Sequence, residues 1–83
     1  QAAVAMAFAV DLVVVVGGRN SGNTSRLAEL CSAVQPRTHH IEEAEEILPE
    51  WFSGVRTVGV TAGASTPPEQ IEAVVGRLEE IVP

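Results

Sequence analysis

Two polar, glycine-containing turns hold the residues of this chain whose types and spacing could bind a ligand. Residues 17–24 read Gly-Gly-Arg-Asn-Ser-Gly-Asn-Thr, and residues 61–66 read Thr-Ala-Gly-Ala-Ser-Thr. Each turn precedes an amphipathic segment, so each is expected to open a helix whose free backbone N–H groups and dipole favour a phosphate or carboxylate. Ser21, Asn23 and Ser65 add short side-chain donors. The two turns therefore predict an anion-binding site.

Each turn taken alone also has a structural explanation. Thr24 or Ser65 would serve as a helix N-cap, and glycine is common in strand-to-helix turns. Neither turn carries a nucleotide fingerprint, because a P-loop requires a lysine, which this chain lacks, and the Gly-x-Gly-x-x-Gly spacing is absent from the first turn. The convergence of both turns at one edge of a sheet is what favours a ligand site over capping.

The hydrophobic pattern predicts the elements that position these turns. Residues 12–16 form a continuous valine-rich run, typical of a central strand covered on both faces. Residues 42–52 are acidic and irregular, with at most a helical turn. The other predicted elements are a helix over 1–9 with Val4 and Phe8 facing inward, a helix from about Thr24 to Pro36, strands over 38–41 and 55–61, and a helix from about Pro68 to Val82.

This order of elements predicts an α/β fold with a small three-layer architecture. Right-handed crossovers would give a three-stranded parallel sheet of order 2-1-3 with helices on both faces. The chain would leave the first and third strands in opposite directions, so the crevice at their carboxyl ends would contain both turns. Residues 1–83 are interpreted as a single α/β domain, and its small core favours packing against a partner domain.

Composition argues against several classes of partner. The net charge is −6 and all five basic residues are arginines, so no cationic stripe is available and we expect no nucleic acid. The apolar residues 2–10 lack the basic leader of a signal peptide, and Asp11 ends them well short of the roughly 20 residues of a membrane span, so we expect no membrane association. One cysteine excludes an internal disulfide, which favours a reducing, cytoplasmic location.

The remaining reactive side chains favour structural roles. Cys31 lies on the apolar stripe of the second helix and is expected to be a core thiol. His39 and His40 are adjacent on an edge strand, so they point to opposite faces and do not form one site. We expect one of them to be solvated and the other partly covered. No catalytic or metal-binding residue is therefore predicted.

Two further groups are also expected to be structural. Trp51 and Phe52 are expected to lie in the core, with an interface to a neighbouring domain as the alternative. The glutamates of residues 42–50 lack the ligand spacing of a calcium loop, so we expect them to form a solvated face.

The two turns and their surroundings resemble a known family. Residues 13–27, which include Arg-Asn-Ser-Gly-Asn-Thr-Ser-Arg-Leu, residues 57–67, Thr-Val-Gly-Val-Thr-Ala-Gly-Ala-Ser-Thr-Pro, and Pro-Glu-Trp at 49–51 are similar to the C-terminal domain of 4-hydroxy-3-methylbut-2-enyl diphosphate reductases. The resemblance covers nearly the whole chain. It implies an oxidoreductase of non-mevalonate isoprenoid biosynthesis, built from three α/β domains around a 4Fe-4S iron–sulfur cluster. Such an enzyme removes a hydroxyl group reductively, giving isopentenyl and dimethylallyl diphosphate.

Carried over residue by residue, the resemblance implies that Ser21, Gly22, Asn23 and Ser65 bind the substrate diphosphate. Gly22 stands where the family commonly has a second serine, so only its backbone N–H would contribute. The family's cluster cysteines and its proton-delivering histidine and glutamate lie outside the region of resemblance. The chain alone is thus expected to bind no cofactor and to be inactive. The implied partners are the allylic diphosphate, the cysteine-bearing domains and an electron donor such as ferredoxin or flavodoxin.

An alternative stays open at this point. The chain could be a stand-alone flavodoxin-like binding or interaction module without catalysis, in which the turns only cap helices. The first residue, Gln1, and a start within a predicted helix favour a fragment of a longer protein.

Overall fold

A computed structural model describes residues 2–82 of the 83-residue chain. Its three strands are parallel and lie in the order β2-β1-β3. The predicted α/β class and strand order are confirmed. The elements are α1 (Ala2–Ala9), β1 (Leu12–Val16), α2 (Gly22–Val34), β2 (Thr38–Ile41), 3₁₀ turns at Ala44–Glu46 and Pro49–Phe52, β3 (Val58–Ala62) and α3 (Pro68–Ile81). Gln1, where the first helix was predicted to begin, lies outside the described residues.

Strand β1 is the centre of the packing, and all five of its side chains are buried. Successive side chains of a strand point to opposite faces, so β1 contributes to two cores. Leu12, Val14 and Val16 pack with residues of α3 and the 3₁₀ turns, whereas Val13 and Val15 pack with α1 and α2. Full burial of one such side chain contributes roughly 1.5–3 kcal/mol, so β1 accounts for a large part of the stability of the domain.

The second core, where the sheet packs against α1 and α2, contains Cys31, as predicted. The thiol is buried, and this burial raises its pKa. Phe52 is also buried, which confirms its core assignment, but Trp51 is only partly buried. The Trp51 ring stacks on His39 with 3.8 Å between centroids and 4° between the planes. His39 and His40 are both partly buried, so the prediction that one of them is solvated is wrong.

Helix α1 does not face inward through Phe8, and that prediction is wrong. Phe8 is 70% exposed, whereas Ala3, Met6 and Ala7 pack against the second core. All residues of α1 are apolar, so the sequence shows no polar face to fix its orientation. Small residues at the contact let α1 lie close to its neighbours, and Met6 covers Gly59 of β3 so tightly that a Cβ there would clash with the Met6 sulfur.

Strand β3 begins at Val58, three residues later than predicted, because its partner β1 begins at Leu12 and the register pairs these two residues. Just before them, the backbone N–H groups of Arg56 and Thr57 donate to Asp11 Oδ2 at 3.0 and 3.2 Å. The Asp11 N–H also donates to the Thr57 carbonyl at 3.1 Å, so the carboxylate supplements backbone pairing where the two strands begin.

The Asp11 carboxylate is expected to make stability depend on acid pH. The Arg56 and Thr57 N–H groups hold the pKa of Asp11 below its ordinary value. Because the folded-state pKa is the lower one, the contribution is complete above the unfolded pKa and is lost as pH falls through the folded value. Below about pH 4, the free energy of unfolding should therefore fall less steeply in Asp11→Asn than in the parent chain. Urea titrations at several pH values measure this, and parallel pH profiles would contradict it.

Gly76 offers a second test of the fold. It lies inside α3, and a Cβ there would meet nothing within 4 Å. Gly76→Ala should therefore raise the free energy of unfolding by about 0.5–1 kcal/mol through helix propensity. Gly54 is the matched control, since its surroundings are equally open but its φ is +76°. Gly54→Ala should destabilise the chain, and stabilisation by both variants would show that the backbone at Gly54 is not as described.

Candidate functional site

The carboxyl ends of β1 and β3 lie side by side, and a polar turn follows each of them. The Gly63 N–H donates to the Val16 carbonyl at 3.1 Å, and the Thr66 hydroxyl donates to the same carbonyl at 3.0 Å. The Thr66 N–H closes the second turn on the Gly63 carbonyl at 3.0 Å. The second turn is therefore attached to the point where the first turn begins.

Thr24 is the buried polar residue that packs between the turns. A Cβ on Gly63 would overlap the Thr24 hydroxyl oxygen, and a Cβ on Gly17 would lie 2.6 Å from it. Both turns thus need glycine because Thr24 occupies the space between them. The sequence pattern indicated Thr24 only as a possible cap and missed this packing role.

Ser21, not Thr24, is the N-cap of α2, so the helix begins at Gly22, earlier than predicted. The Thr24 N–H and hydroxyl donate to Ser21 Oγ at 3.2 and 3.1 Å. A hydroxyl has two acceptor lone pairs and one donor, so these bonds leave Ser21 its proton to donate. The Gly22 and Asn23 N–H groups lie in the first turn of α2, where no intrahelical acceptor exists. This corner of the site therefore presents donors.

Asn23 and Ser65 extend the donor set toward the second turn. Asn23 Oδ1 lies 3.5 Å from the Ala64 N–H, a long hydrogen bond that leaves the side-chain amide N–H groups free to donate. Ser65 is exposed, and its hydroxyl has no hydrogen-bond partner within residues 2–82. The N-cap of α3 is Pro67 without a side-chain cap bond, so the capping explanation of Ser65 is wrong.

Two open clefts flank the turns. One, of about 500 Å³, lies between the segment after β2 and the start of α3 and is lined by Gly18, Ser65 and Glu42 among others. The other, of about 390 Å³, lies on the α1 side and includes Asn23 in its lining. Ser21 and Gly22 line neither cleft. The structure thus places Ser65 in the first cleft and Asn23 in the second, and does not enclose the predicted residues in one cavity.

The sequence reasoning missed a charged network beside the first turn. Arg19 donates to Glu42 Oε1 at 2.9 Å and also pairs with Glu46, and its backbone N–H donates to Glu42 Oε2 at 3.0 Å. Glu46 Oε2 in turn accepts the N–H groups of Glu42 and Glu43 at 2.8 Å each. The glutamates at 43, 45 and 50 are exposed, as the predicted solvated face requires. Glu42 and Glu46 are partly exposed and ion-paired with Arg19. Arg19 is already paired with these two glutamates and therefore offers little free positive charge to an anion.

In residues 2–82, no three His, Cys, Asp or Glu side chains are grouped so that they could hold a metal ion. None of the helices in that range has both the length and the apolar character needed to span a membrane.

The chain is similar in sequence to a known protein family. The chain matches the family model described as LytB protein over residues 1–79. It is 64% identical over 76 residues to the 4-hydroxy-3-methylbut-2-enyl diphosphate reductase of Pelobacter propionicus and 59% identical over 81 residues to that of Geobacter metallireducens. These alignments cover 92% and 98% of this chain but 27% and 29% of the relatives, so the chain spans somewhat more than a quarter of their length.

Solved structures agree with the sequence matches. A structure of (E)-4-hydroxy-3-methyl-but-2-enyl diphosphate reductase superposes with a TM-score of 0.93 at 51% identity, covering 95% of this chain and 28% of that one. The Plasmodium falciparum reductase superposes with a TM-score of 0.82 at 20% identity over 88% of this chain and 23% of that one, a likeness of fold alone. On the family model and these identities, the chain belongs to the LytB protein family.

Proposed function

We propose that this chain is the substrate-diphosphate-binding domain of a 4-hydroxy-3-methylbut-2-enyl diphosphate reductase. The observation that carries the proposal is the set of unused donors at the two turns: the Ser21 and Ser65 hydroxyl protons and the backbone N–H groups of Gly22 and Asn23. Within the whole enzyme, this domain would hold the allylic diphosphate during reductive loss of its hydroxyl group, which yields isopentenyl and dimethylallyl diphosphate.

Neutral donors suit this role in an acidic chain. Hydrogen bonds to an ionised acceptor are roughly twice as strong as neutral ones. The N-terminus of α2 adds its dipole at the same place. With a net charge of −6, the chain has no excess of cations that would hold anions indiscriminately, so binding depends on the geometry of the two turns. Their contribution to the reaction would be to fix the orientation of the substrate.

An iron–sulfur cluster does not fit on the described residues. Cys31 is buried between α1 and α2, with its sulfur 3.9 Å from the Ala3 carbonyl, and no group of metal-ligating side chains surrounds it. We therefore assign the cluster ligands and the contacts to an electron donor to the other domains of the enzyme. A single buried free thiol suits a reducing compartment, so we propose a cytoplasmic location.

Ser21→Asp separates ligand binding from helix capping. Aspartate caps helices about as well as serine, so the free energy of unfolding should change by only a few tenths of a kcal/mol. The added charge repels the diphosphate by roughly 1 kcal/mol at 4 Å in water, so KM of a full-length reductase carrying this domain should rise at least about fivefold. Ser53→Asp is the control, because it makes the same charge change in the segment before β3, at the opposite edge of the sheet. Equal KM values for the two variants would refute the proposal for the first turn.

Ser65→Ala tests the second turn. Because the Ser65 hydroxyl has no partner in the described chain, its removal should leave the thermal midpoint unchanged. One lost hydrogen bond to a charged group is worth roughly 1.5–3 kcal/mol, so affinity for the allylic diphosphate should fall at least about tenfold. Ser32→Ala, on the exposed side of α2, should change neither quantity. A loss of stability together with unchanged affinity would assign Ser65 a structural role instead.

A further inference from the structure

The hydrogen-bond ladder between β1 and β2 ends at Gly17, whose carbonyl lacks a backbone donor from the segment after β2. The Gly17 N–H donates to the Ile41 carbonyl at 2.9 Å, which continues the parallel pairing of Val16 with Ile41. In a parallel ladder, the Gly17 carbonyl would next accept the N–H of Glu43. That N–H instead donates to Glu46 Oε2 at 2.8 Å, because the chain turns away after β2.

The His40 side chain replaces the missing backbone donor. Its Nε2 lies 3.0 Å from the Gly17 carbonyl oxygen. A carbonyl oxygen can only accept, so this contact requires the proton on Nε2. His40 pairs with Val15 in the sheet register, two residues before Gly17. It therefore reaches along the strand from a rigid element to the first peptide of the turn.

This bond fixes the direction of the next N–H group. A peptide unit is planar and trans, so the Gly18 N–H points opposite to the Gly17 carbonyl. The carbonyl faces β2, and the N–H must then face the side of β3, where the second turn lies. The Gly18 N–H has no acceptor within residues 2–82, and Gly18 lines the larger cleft together with Ser65.

We propose that His40 is a positioning residue for anion binding: its Nε2–H holds the Gly17–Gly18 peptide so that the Gly18 N–H donates to the diphosphate. This inference rests on the proposed function and deepens it, because it adds Gly18 to the donor set and assigns a role to a residue that sequence patterns indicated to be structural. His40 acts through the peptide and does not itself touch the ligand.

Two substitutions separate hydrogen bonding from packing. In His40→Gln, the side-chain amide nitrogen can take the place of Nε2 and keep the donor. His40→Leu removes the donor and introduces an apolar side chain suited to the strand. Calorimetric titration of the 83-residue chain with inorganic diphosphate should show affinity about three- to tenfold weaker in His40→Leu, the range expected for one lost hydrogen bond, and near the parent value in His40→Gln.

A measurement on the ligand-free chain tests the positioning independently. Long-range ¹H–¹⁵N correlations should show neutral His40 in its Nε2–H tautomer, and the Gly18 amide resonance should shift in His40→Leu and return in His40→Gln. An Nδ1–H tautomer, a Gly18 resonance unaffected by His40→Leu, or failure of glutamine to restore it would overturn the inference. If the parent chain does not bind diphosphate, the proposed function of the isolated domain fails, while the tautomer and the Gly18 shift still decide whether His40 positions the peptide.

Discussion

The carbonyl of Val16, the last residue of β1, accepts two hydrogen bonds from the second turn, and the candidate site depends on this junction. One donor is the backbone N–H of Gly63 and the other is the hydroxyl of Thr66. These two bonds fix the end of β3 and the segment before α3 against the central strand. Thr24 then fills the space between the turns, which is available only because residues 17 and 63 lack a Cβ.

A site of this construction needs little charge to recognise an anion. Arg19, in the first turn, pairs with two glutamates from the segment after β2 and so connects the first turn to that segment. The donors that face solvent are hydroxyl and N–H groups of the two turns, and the sheet fixes their orientation before any ligand binds. Preorganised donors of this kind lose little entropy on binding. This property suits the proposed role, in which the domain would hold one end of a substrate while other domains act on it.

The sheet could be predicted from sequence because its signal is local and strong. A valine run in the centre and right-handed crossovers leave few other arrangements. The orientation of α1 could not be predicted from sequence, because a helix that is apolar all round does not indicate which side is buried. The Arg19–Glu42 pair was equally hidden, because the two residues lie 23 positions apart and meet only once β1 and β2 have paired. Likewise, the donor types of the site were evident in the sequence, but the use of Ser21 as the cap required atomic positions.

The most direct test of the central claim, that two turns form one anion site, is an amide-resolved NMR titration of the 83-residue chain with inorganic diphosphate. The account predicts that Gly22 and Asn23 of the first turn and Ser65 of the second shift together with a single dissociation constant, while Gly54 at the opposite edge stays unchanged. Shifts in one turn alone, different dissociation constants for the two turns, or no shifts at millimolar ligand would contradict it, and would leave the first turn as a helix cap.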